Sequence, residues 1–371
     1  MTPATSDYLS LLLGLPLLLG SAELLVRNAV KLATLIGRSR LFIGLTIAAF
    51  GTSAPELAIG VMGVARGQGD LGIGNIIGSN IFNTFFILGL GALIRPVIVS
   101  HKVIQRDIPI LLGFCLMFFL MSLNHSISVF EAILLAITLI GYLVYLSRLP
   151  ADEKEIVLPD VSEKKAPTSD TTMTYKSLSL RILLVAVSIG VMIYASQLMV
   201  SGAVGIASRL GISELVIGLT VLAVGTSLPE IAATLVAIRR NEHDLAVGNI
   251  MGSSIFNIVA VPATMTLVHA ASLPVSNDAV RFDMPIMLLA IVACLPIFFS
   301  GHRISRSEGV LFLLYYAAYV VTLYVRSVSD SPITTPTLAL LAIPVLVVTL
   351  SIVIYRALAY RRHLKKMGGR S

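Results

Sequence analysis

Long apolar runs alternate with short polar or basic segments along almost the whole chain. Most of these runs are 20 or more residues long, which is enough for an α-helix to cross a hydrocarbon layer about 30 Å thick. They lack the alternation of apolar and polar residues that marks a membrane β-barrel strand. The runs predict eleven spans, near residues 8–30, 41–65, 73–94, 105–123, 127–147, 179–207, 215–238, 246–268, 281–299, 307–325 and 336–357.

One long polar segment, residues 149–177, separates the first five spans from the rest. Across it the sequence repeats with an offset of 174 residues: GTSAPE at 51–56 returns as GTSLPE at 225–230, and GNIIGSNIFN at 74–83 returns as GNIMGSSIFN at 248–257. We interpret the repeat as duplication of a five-helix unit. Because five is odd, the second copy would enter the membrane from the opposite side, as in the inverted repeats of many secondary transporters.

The pattern therefore predicts an all-α membrane protein made of two inverted five-helix repeats, which form a ten-helix core, plus an eleventh C-terminal helix. We expect the first repeat at 1–148, a cytoplasmic linker at 149–177 and the second repeat at 178–326. Residues 327–371 would supply the extra transmembrane helix and a basic cytoplasmic tail.

Composition and charge agree with a membrane protein. The chain is 56% apolar and 13% charged, with a mean hydropathy of +0.91, far from the balance of a soluble domain. If the N-terminus is outside, 23 Lys and Arg residues fall in cytoplasmic segments and 4 in external ones, as the positive-inside rule requires. Membrane orientation thus explains the net charge of +7, and a nucleic-acid role has little support.

Two carboxylates, Glu56 and Glu230, stand inside predicted spans with no basic residue near the same depth. A threonine and a serine precede each glutamate by four and three residues, so in a helix their oxygens would share one face. Pro55 and Pro229 cannot donate a backbone hydrogen bond and would kink the helix. An ionised carboxylate is expensive inside a membrane, so these glutamates are predicted to be functional.

The third and eighth spans carry matching polar faces, in which polar residues recur at every fourth position: Asn75, Ser79 and Asn83, and Asn249, Ser253 and Asn257. Their glycines at 74, 78, 248 and 252 form small-xxx-small patterns that let helices approach closely. Carboxylates, hydroxyls, amides and backbone carbonyls suit hard cations such as calcium and sodium. We expect both copies to meet near the midplane as one site.

With these four motifs in register, the chain resembles the calcium/cation antiporter superfamily, and within it the prokaryotic sodium/calcium exchangers, over about residues 8–325. The resemblance implies that the first and sixth helices slide past a core formed by the others. It implies that Glu56 and Glu230 are the central calcium ligands, helped by oxygens of Thr52 and Thr226. The further ion ligands that it implies are the carbonyls of Ala49 and Ala223 and the hydroxyls of Ser53, Ser79, Ser227 and Ser253, with Asn83 and Asn257 beside the central site.

The chain departs from the family pattern at three points. Some relatives carry an aspartate where this chain has Asn257, which leaves ion stoichiometry and a potassium requirement open. Ser254 replaces an asparagine, and the eleventh span at 336–357 has no counterpart.

We expect a secondary active antiporter that exchanges sodium for calcium by alternating access, in the bacterial cytoplasmic (inner) membrane, with an external N-terminus and a cytoplasmic C-terminus. Its partners would be calcium and sodium ions and the lipid bilayer, with no cofactor, and the oligomeric state is not predicted. A calcium/proton exchanger and, in a different class, a cation channel are the alternatives. No motif supports an enzyme.

Three other acidic residues have simpler interpretations. Glu23 lies one turn before Arg27, which is typical of a local ion pair on one helix. Asp107 and Asp283 precede prolines at the predicted starts of the fourth and ninth spans, which is typical of an acidic first helical turn.

Overall fold

The structure, a computed structural model, describes residues 3–149, 175–210, 223–299, 302–329 and 351. The predicted linker at 149–177 lies almost wholly outside these residues, as do the eleventh span and the basic tail apart from residue 351. Within the described residues, seven helices are long and apolar enough to cross a membrane, or eight if one bent pair of helices counts as a span. The predicted class, an all-α membrane protein, is confirmed.

The helices follow the predicted spans, and four two-residue strands lie in the connections. The first half contains α1 (Pro3–Leu35), α2 (Arg40–Thr52), α3 (Ala54–Ala65), α4 (Gly69–Ile94), α5 (Val103–Asn124) and α6 (Val129–Arg148). The second half contains α7 (Tyr175–Arg209), α8 (Ala223–Thr226), α9 (Leu228–Arg239), α10 (His243–His269), α11 (Met284–Phe299) and α12 (Arg306–Ser329). The strands are β1 (Val97–Ile98), β2 (Ser126–Ile127), β3 (Leu273–Pro274) and β4 (Arg303–Ile304).

Helices α4 and α10 form the centre of the molecule. Their most apolar stretches are 78% and 83% buried, whereas those of the other five long helices are only 22% to 33% buried. Helix α10 packs against α2, α3 and α9. The polar motifs of α4 and α10 therefore lie in the interior rather than at a surface.

Helices α1 and α7 form an antiparallel pair. Arg181, near the start of α7, donates to Asn28 Oδ1 in the second half of α1 at 2.9 Å. At the opposite end of the pair, Arg209 forms an ion pair with Asp7. These two contacts fix the relative direction of the helices.

Two short antiparallel ladders fasten connections of the two halves together, since β1 pairs with β4 and β2 pairs with β3. A further backbone hydrogen bond extends each ladder. Val99 N–H donates to the carbonyl of His302 at 2.8 Å, and Val275 N–H donates to the carbonyl of His125 at 2.9 Å. His302 and His125 both adopt positive φ, at 53° and 61°, so the two ladders end in the same way.

The simple interpretation of Asp107 and Asp283 is wrong, because a π-helical turn precedes each of them and the chain is already helical there. Asp107 is fully buried and binds the guanidinium of Arg106 through both oxygens, at 2.8 and 3.0 Å. Asp283 accepts a hydrogen bond from the hydroxyl of Tyr319 at 3.0 Å.

The predicted local pair on α1 is confirmed, since Arg27 lies 2.8 Å from Glu23. Arg240, which follows α9, also forms an ion pair with Glu23. This second partner lies 217 residues further along the chain, so helical spacing could not have indicated it.

Candidate ion-binding site

The two GTS-x-PE motifs interrupt their helices at the serine. Ser53 separates α2 from α3 with φ −83° and ψ 7°, and Ser227 separates α8 from α9 with φ −90° and ψ 9°. The prolines that follow occupy the first turn of the next helix, where a missing N–H removes no helical hydrogen bond. Helices α2 and α3 are bent by 42°, so the predicted kink is confirmed in the first copy.

These breaks place both glutamates in the first turn of a helix, Glu56 in α3 and Glu230 in α9. The unpaired N–H groups at a helix N-terminus carry partial positive charge that favours a nearby carboxylate. Both glutamates are buried, at 0% and 1% exposure. The backbone therefore supplies part of the stabilisation that an intramembrane carboxylate needs.

Each serine at a break binds the glutamate of the other half. Ser227 Oγ donates to Glu56 Oε1 at 3.1 Å, and Ser53 Oγ donates to Glu230 Oε1 at 3.1 Å. Helical spacing predicts that Ser53 and Glu56 share one helix face, but Ser53 is the N-cap residue of α3, and its hydroxyl binds Glu230 rather than Glu56. The hydroxyls and carboxylates still lie close together, but each serine hydroxyl binds the glutamate of the other half.

The central helices add one hydroxyl to each carboxylate. Ser79 of α4 donates to Glu56 Oε1 at 3.5 Å, and Ser253 of α10 donates to Glu230 Oε1 at 3.4 Å. The Ser79 and Ser227 hydroxyls lie 3.4 Å apart. In both glutamates the hydroxyl donors thus converge on Oε1.

Two threonines and two asparagines extend the cluster. Thr52 Oγ1 donates to Asn249 Oδ1 at 3.3 Å and lies 3.2 Å from Ser253 Oγ. Thr226 Oγ1 donates to Asn75 Oδ1 at 3.5 Å. The four-residue spacing of polar residues on α4 and α10 includes Asn75 and Asn249, but the predicted ligand set does not.

Several buried polar atoms of the site have no hydrogen-bond partner among the described residues. They are Glu56 Oε2, Glu230 Oε2 and both side-chain amide atoms of Asn83 and of Asn257. Such atoms are nearly always paired in folded proteins. Two carboxylate and two amide oxygens left in this way are hard ligands of the kind that calcium and sodium accept.

The two predicted carbonyl ligands are those of Ala49 and Ala223. Ala49 is fully buried, and its carbonyl accepts the N–H of Ser53 at 3.0 Å and the hydroxyl of Thr52 at 3.4 Å. Ala223 begins α8, directly after residues 211–222, which lie outside the described part. No group of three or more His, Cys, Asp or Glu residues that could hold a metal occurs among the described residues.

Buried oxygen ligands between interrupted helices of a multi-span helical protein define the class: an ion transporter of the membrane. Irregular backbone at membrane depth occurs where it is enclosed by protein or lines a cavity. Such breaks also place helix ends at the substrate sites of secondary transporters.

Comparison with known proteins identifies the family. The family profile described as "Sodium/calcium exchanger protein" matches residues 6–148 and 180–325. The putative antiporter CaxA of Alkalimonas amylolytica is 35% identical over 323 residues, which is 84% of this chain and 97% of CaxA. Inner membrane protein YrbG of Escherichia coli K12 is 31% identical, covering 85% of this chain and 95% of YrbG.

A solved structure of the sodium-calcium exchanger NCX_Mj, soaked with 10 mM Na+ and no Ca2+, superposes with a TM-score of 0.73 at 29% identity, covering 86% of this chain and 99% of NCX_Mj. The chain belongs to the sodium/calcium exchanger protein family, and it is a transmembrane ion antiporter.

Proposed function

We propose that this protein exchanges sodium for calcium by alternating access at one buried site centred on Glu56 and Glu230. The observation that carries the proposal is a pair of carboxylate oxygens, Glu56 Oε2 and Glu230 Oε2, which have no hydrogen-bond partner among the described residues. The family and NCX_Mj, both described as sodium/calcium exchangers, support sodium and calcium as the transported ions.

Ligand chemistry suggests how the ions are divided within the site. Calcium takes six to eight oxygen ligands and favours carboxylates, so we assign it to the two glutamates with help from Thr52 and Thr226. Sodium ions would use the surrounding neutral oxygens. These are the carbonyls of Ala49 and Ala223 and the hydroxyls of Ser53, Ser79, Ser227 and Ser253, with the amides of Asn83 and Asn257 beside the centre.

The charge of the site explains why transport would be coupled. Two ionised glutamates carry about two negative charges, and moving them through a low-dielectric region without a counter-ion is costly. A calcium ion or compensating sodium ions would remove this cost. The site would then reorient only when loaded, so one kind of ion crosses in return for the other.

We further propose the inverted-repeat organisation, with repeats at 1–148 and 178–326, a cytoplasmic linker at 149–177 and an extra helix and basic tail at 327–371. Contacts that recur at offsets of 174 to 177 residues support it. The bond from Ser53 to Glu230 corresponds to that from Ser227 to Glu56, and the β1–β4 ladder corresponds to β3–β2. The distribution of basic residues supports an external N-terminus, and the name of YrbG supports an inner-membrane location.

Replacing either central glutamate tests the proposal. In proteoliposomes, Glu56→Gln and Glu230→Gln are each expected to abolish sodium-driven calcium flux, because glutamine keeps the volume but removes the charge. Glu131→Gln is the matched control: Glu131 closes a capping box at the start of α6 with Ser128, and glutamine also serves in that position. Undiminished calcium flux in both site variants, with normal folding by gel filtration, would refute the proposal.

A calcium/proton exchanger is the second candidate, because the free carboxylate oxygens could be neutralised by a proton as readily as by sodium. The distinguishing measurement is calcium flux driven by a sodium gradient at clamped pH, compared with flux driven by a pH gradient without sodium. Flux only in the second arm would favour proton exchange.

A further inference from the structure

Two histidines from different connections face each other at the β1–β4 ladder, far along the chain from both GTS-x-PE motifs. His101 follows β1, and His302 directly precedes β4. Their ring centroids lie 5.3 Å apart, with an angle of 54° between the ring planes. His101 is exposed and His302 is partly exposed, so a small ion from solution can reach the pair.

The ladder holds the two residues in place. The N–H of Val99, two residues before His101, donates to the carbonyl of His302 at 2.8 Å, and residues 97 and 98 pair with residues 304 and 303. Because the backbone fixes both Cα positions, little conformational entropy remains to be lost when the two side chains bind a common ligand.

We propose that His101 and His302 form a binding site for a divalent transition-metal ion that takes tetrahedral coordination, such as Zn2+ or Co2+. A metal about 2.0–2.1 Å from a ring nitrogen lies roughly 3.2 Å from the ring centroid, so two imidazoles at a tetrahedral angle have centroids about 5.2 Å apart. The observed separation of 5.3 Å meets this requirement. Water would complete the coordination.

The state of His302 suits a metal ligand. Its Nδ1 is buried without a hydrogen-bond partner among the described residues. Burial, and then the neighbouring His101, lower the pKa of His302 below its ordinary value. The neutral imidazole is the form that binds metals.

The equivalent position in the other half, at the end of the β2–β3 ladder, shows that the fold does not require a pair of histidines there. At the β2–β3 ladder, His125 has the same positive φ as His302 and offers its carbonyl in the same way. The sequence counterpart of His101, however, is Asn277. Both ladders thus end beside a histidine with positive φ, whereas a second imidazole is present at the β1–β4 ladder and is replaced by an asparagine at the β2–β3 ladder.

The proposed metal site also differs from the candidate ion site in the type of its ligand atoms. Imidazole nitrogens favour zinc, nickel and copper, whereas calcium and sodium favour oxygen. The residues that follow the histidines, Lys102 and Arg303, are basic, and this further disfavours a hard cation held mainly by charge. The proposed metal is therefore a ligand distinct from the transported ions.

The test is the thermal stability of the full-length protein in detergent, with any affinity tag removed and with calcium at a saturating concentration. Addition of Zn2+ should raise the melting temperature progressively, because an ion that binds only the folded state stabilises it. His101→Asn, which copies the residue at the β2–β3 ladder, should lower the apparent zinc affinity at least about tenfold. His302→Asn should do the same, and asparagine tolerates the left-handed backbone.

His125→Asn is the matched control, and its zinc response should equal that of the original protein. A zinc-induced shift that persists in both His101→Asn and His302→Asn would overturn the proposal, as would the absence of any shift in the original protein. As a second measurement, bound Co2+ should give the strong visible absorption of tetrahedral coordination in the original protein and in His125→Asn, but not in His101→Asn.

Discussion

At the scale of single residues, the main feature of the site is that its hydrogen bonds cross between the two halves. Each glutamate takes a serine hydroxyl from the motif that lies more than 170 residues away, at 3.1 Å in both cases. Each carboxylate therefore takes hydroxyl donors from both halves, since Ser79 donates to Glu56 and Ser253 donates to Glu230 within their own halves.

The crossed arrangement predicts which residues are energetically coupled. In a double-mutant cycle on thermal stability, Ser53→Ala and Glu230→Gln should be non-additive by about 0.5–3 kcal/mol, because the two side chains share a buried hydrogen bond. Ser53→Ala and Glu56→Gln should be less strongly coupled, although these residues are only three apart in sequence. Equal or stronger coupling in this second pair would contradict the crossed arrangement.

The buried pair of Asp107 and Arg106 predicts a stability effect unrelated to the ion site. Asp107→Ala leaves a guanidinium without its bidentate partner, and breaking a buried pair costs about 3–5 kcal/mol. Arg27→Ala removes an exposed pair on one helix, which is worth at most about 1 kcal/mol. Melting temperatures in detergent should therefore fall much further for Asp107→Ala, and equal shifts would contradict this assignment.

At the scale of elements, glycines allow α2 and α10 to pack with their backbones in contact. A Cβ on Gly248 would lie 2.8 Å from the carbonyl oxygen of Leu41, and one on Gly252 would lie 2.6 Å from that of Leu45. The predicted close approach is confirmed for these two glycines. For Gly74 and Gly78 it stays a prediction, because the counterpart of α2 in the second half includes residues 211–222, outside the described part.

Close backbone packing predicts that single methyl groups will separate these helices. Gly248→Ala and Gly252→Ala should each destabilise the protein by about 1–3 kcal/mol, because the clash is with backbone that cannot move away. Gly141→Ala in α6 is the matched control. A Cβ there meets nothing within 4 Å among the described residues, and alanine favours a helix by up to about 1 kcal/mol. Equal losses for Gly252→Ala and Gly141→Ala would refute the packing argument.

At the scale of the whole molecule, the strand ladders join connections of one half to connections of the other. Under the proposed topology, the β2–β3 ladder lies on the external side and the β1–β4 ladder on the cytoplasmic side. The central helix α4 leads into β1, and the central helix α10 leads into β3. Each ladder thus holds the C-terminal end of one central helix.

This topology predicts an accessibility pattern. The native cysteines, Cys115 and Cys294, are 0% and 2% exposed, so a thiol reagent should not label the unmodified protein. In right-side-out vesicles, a membrane-impermeant maleimide should label Asn124→Cys and not Arg303→Cys. Inside-out vesicles should give the reverse. Labelling of both variants from the same side would refute the inverted arrangement.

The sequence by itself determined the all-α membrane class, the positions of the described helices and the helix break at the first GTS-x-PE motif. These are local properties: the length of an apolar run sets a span, and a proline sets a break. The internal repeat added one non-local inference, that Glu56 and Glu230 belong to a common site. The family resemblance that the motifs carry is confirmed by the family match over both halves.

Only the tertiary structure decided which oxygen meets which partner. Helical spacing specifies a face of one helix, but not the helix on which that face packs. Ser53 was therefore assigned to the nearest carboxylate in sequence, whereas folding brings it to Glu230. The same reason explains Arg240 beside Glu23, and His101 beside His302. In each case residues about 180 to 220 positions apart are joined by packing, which no local pattern encodes.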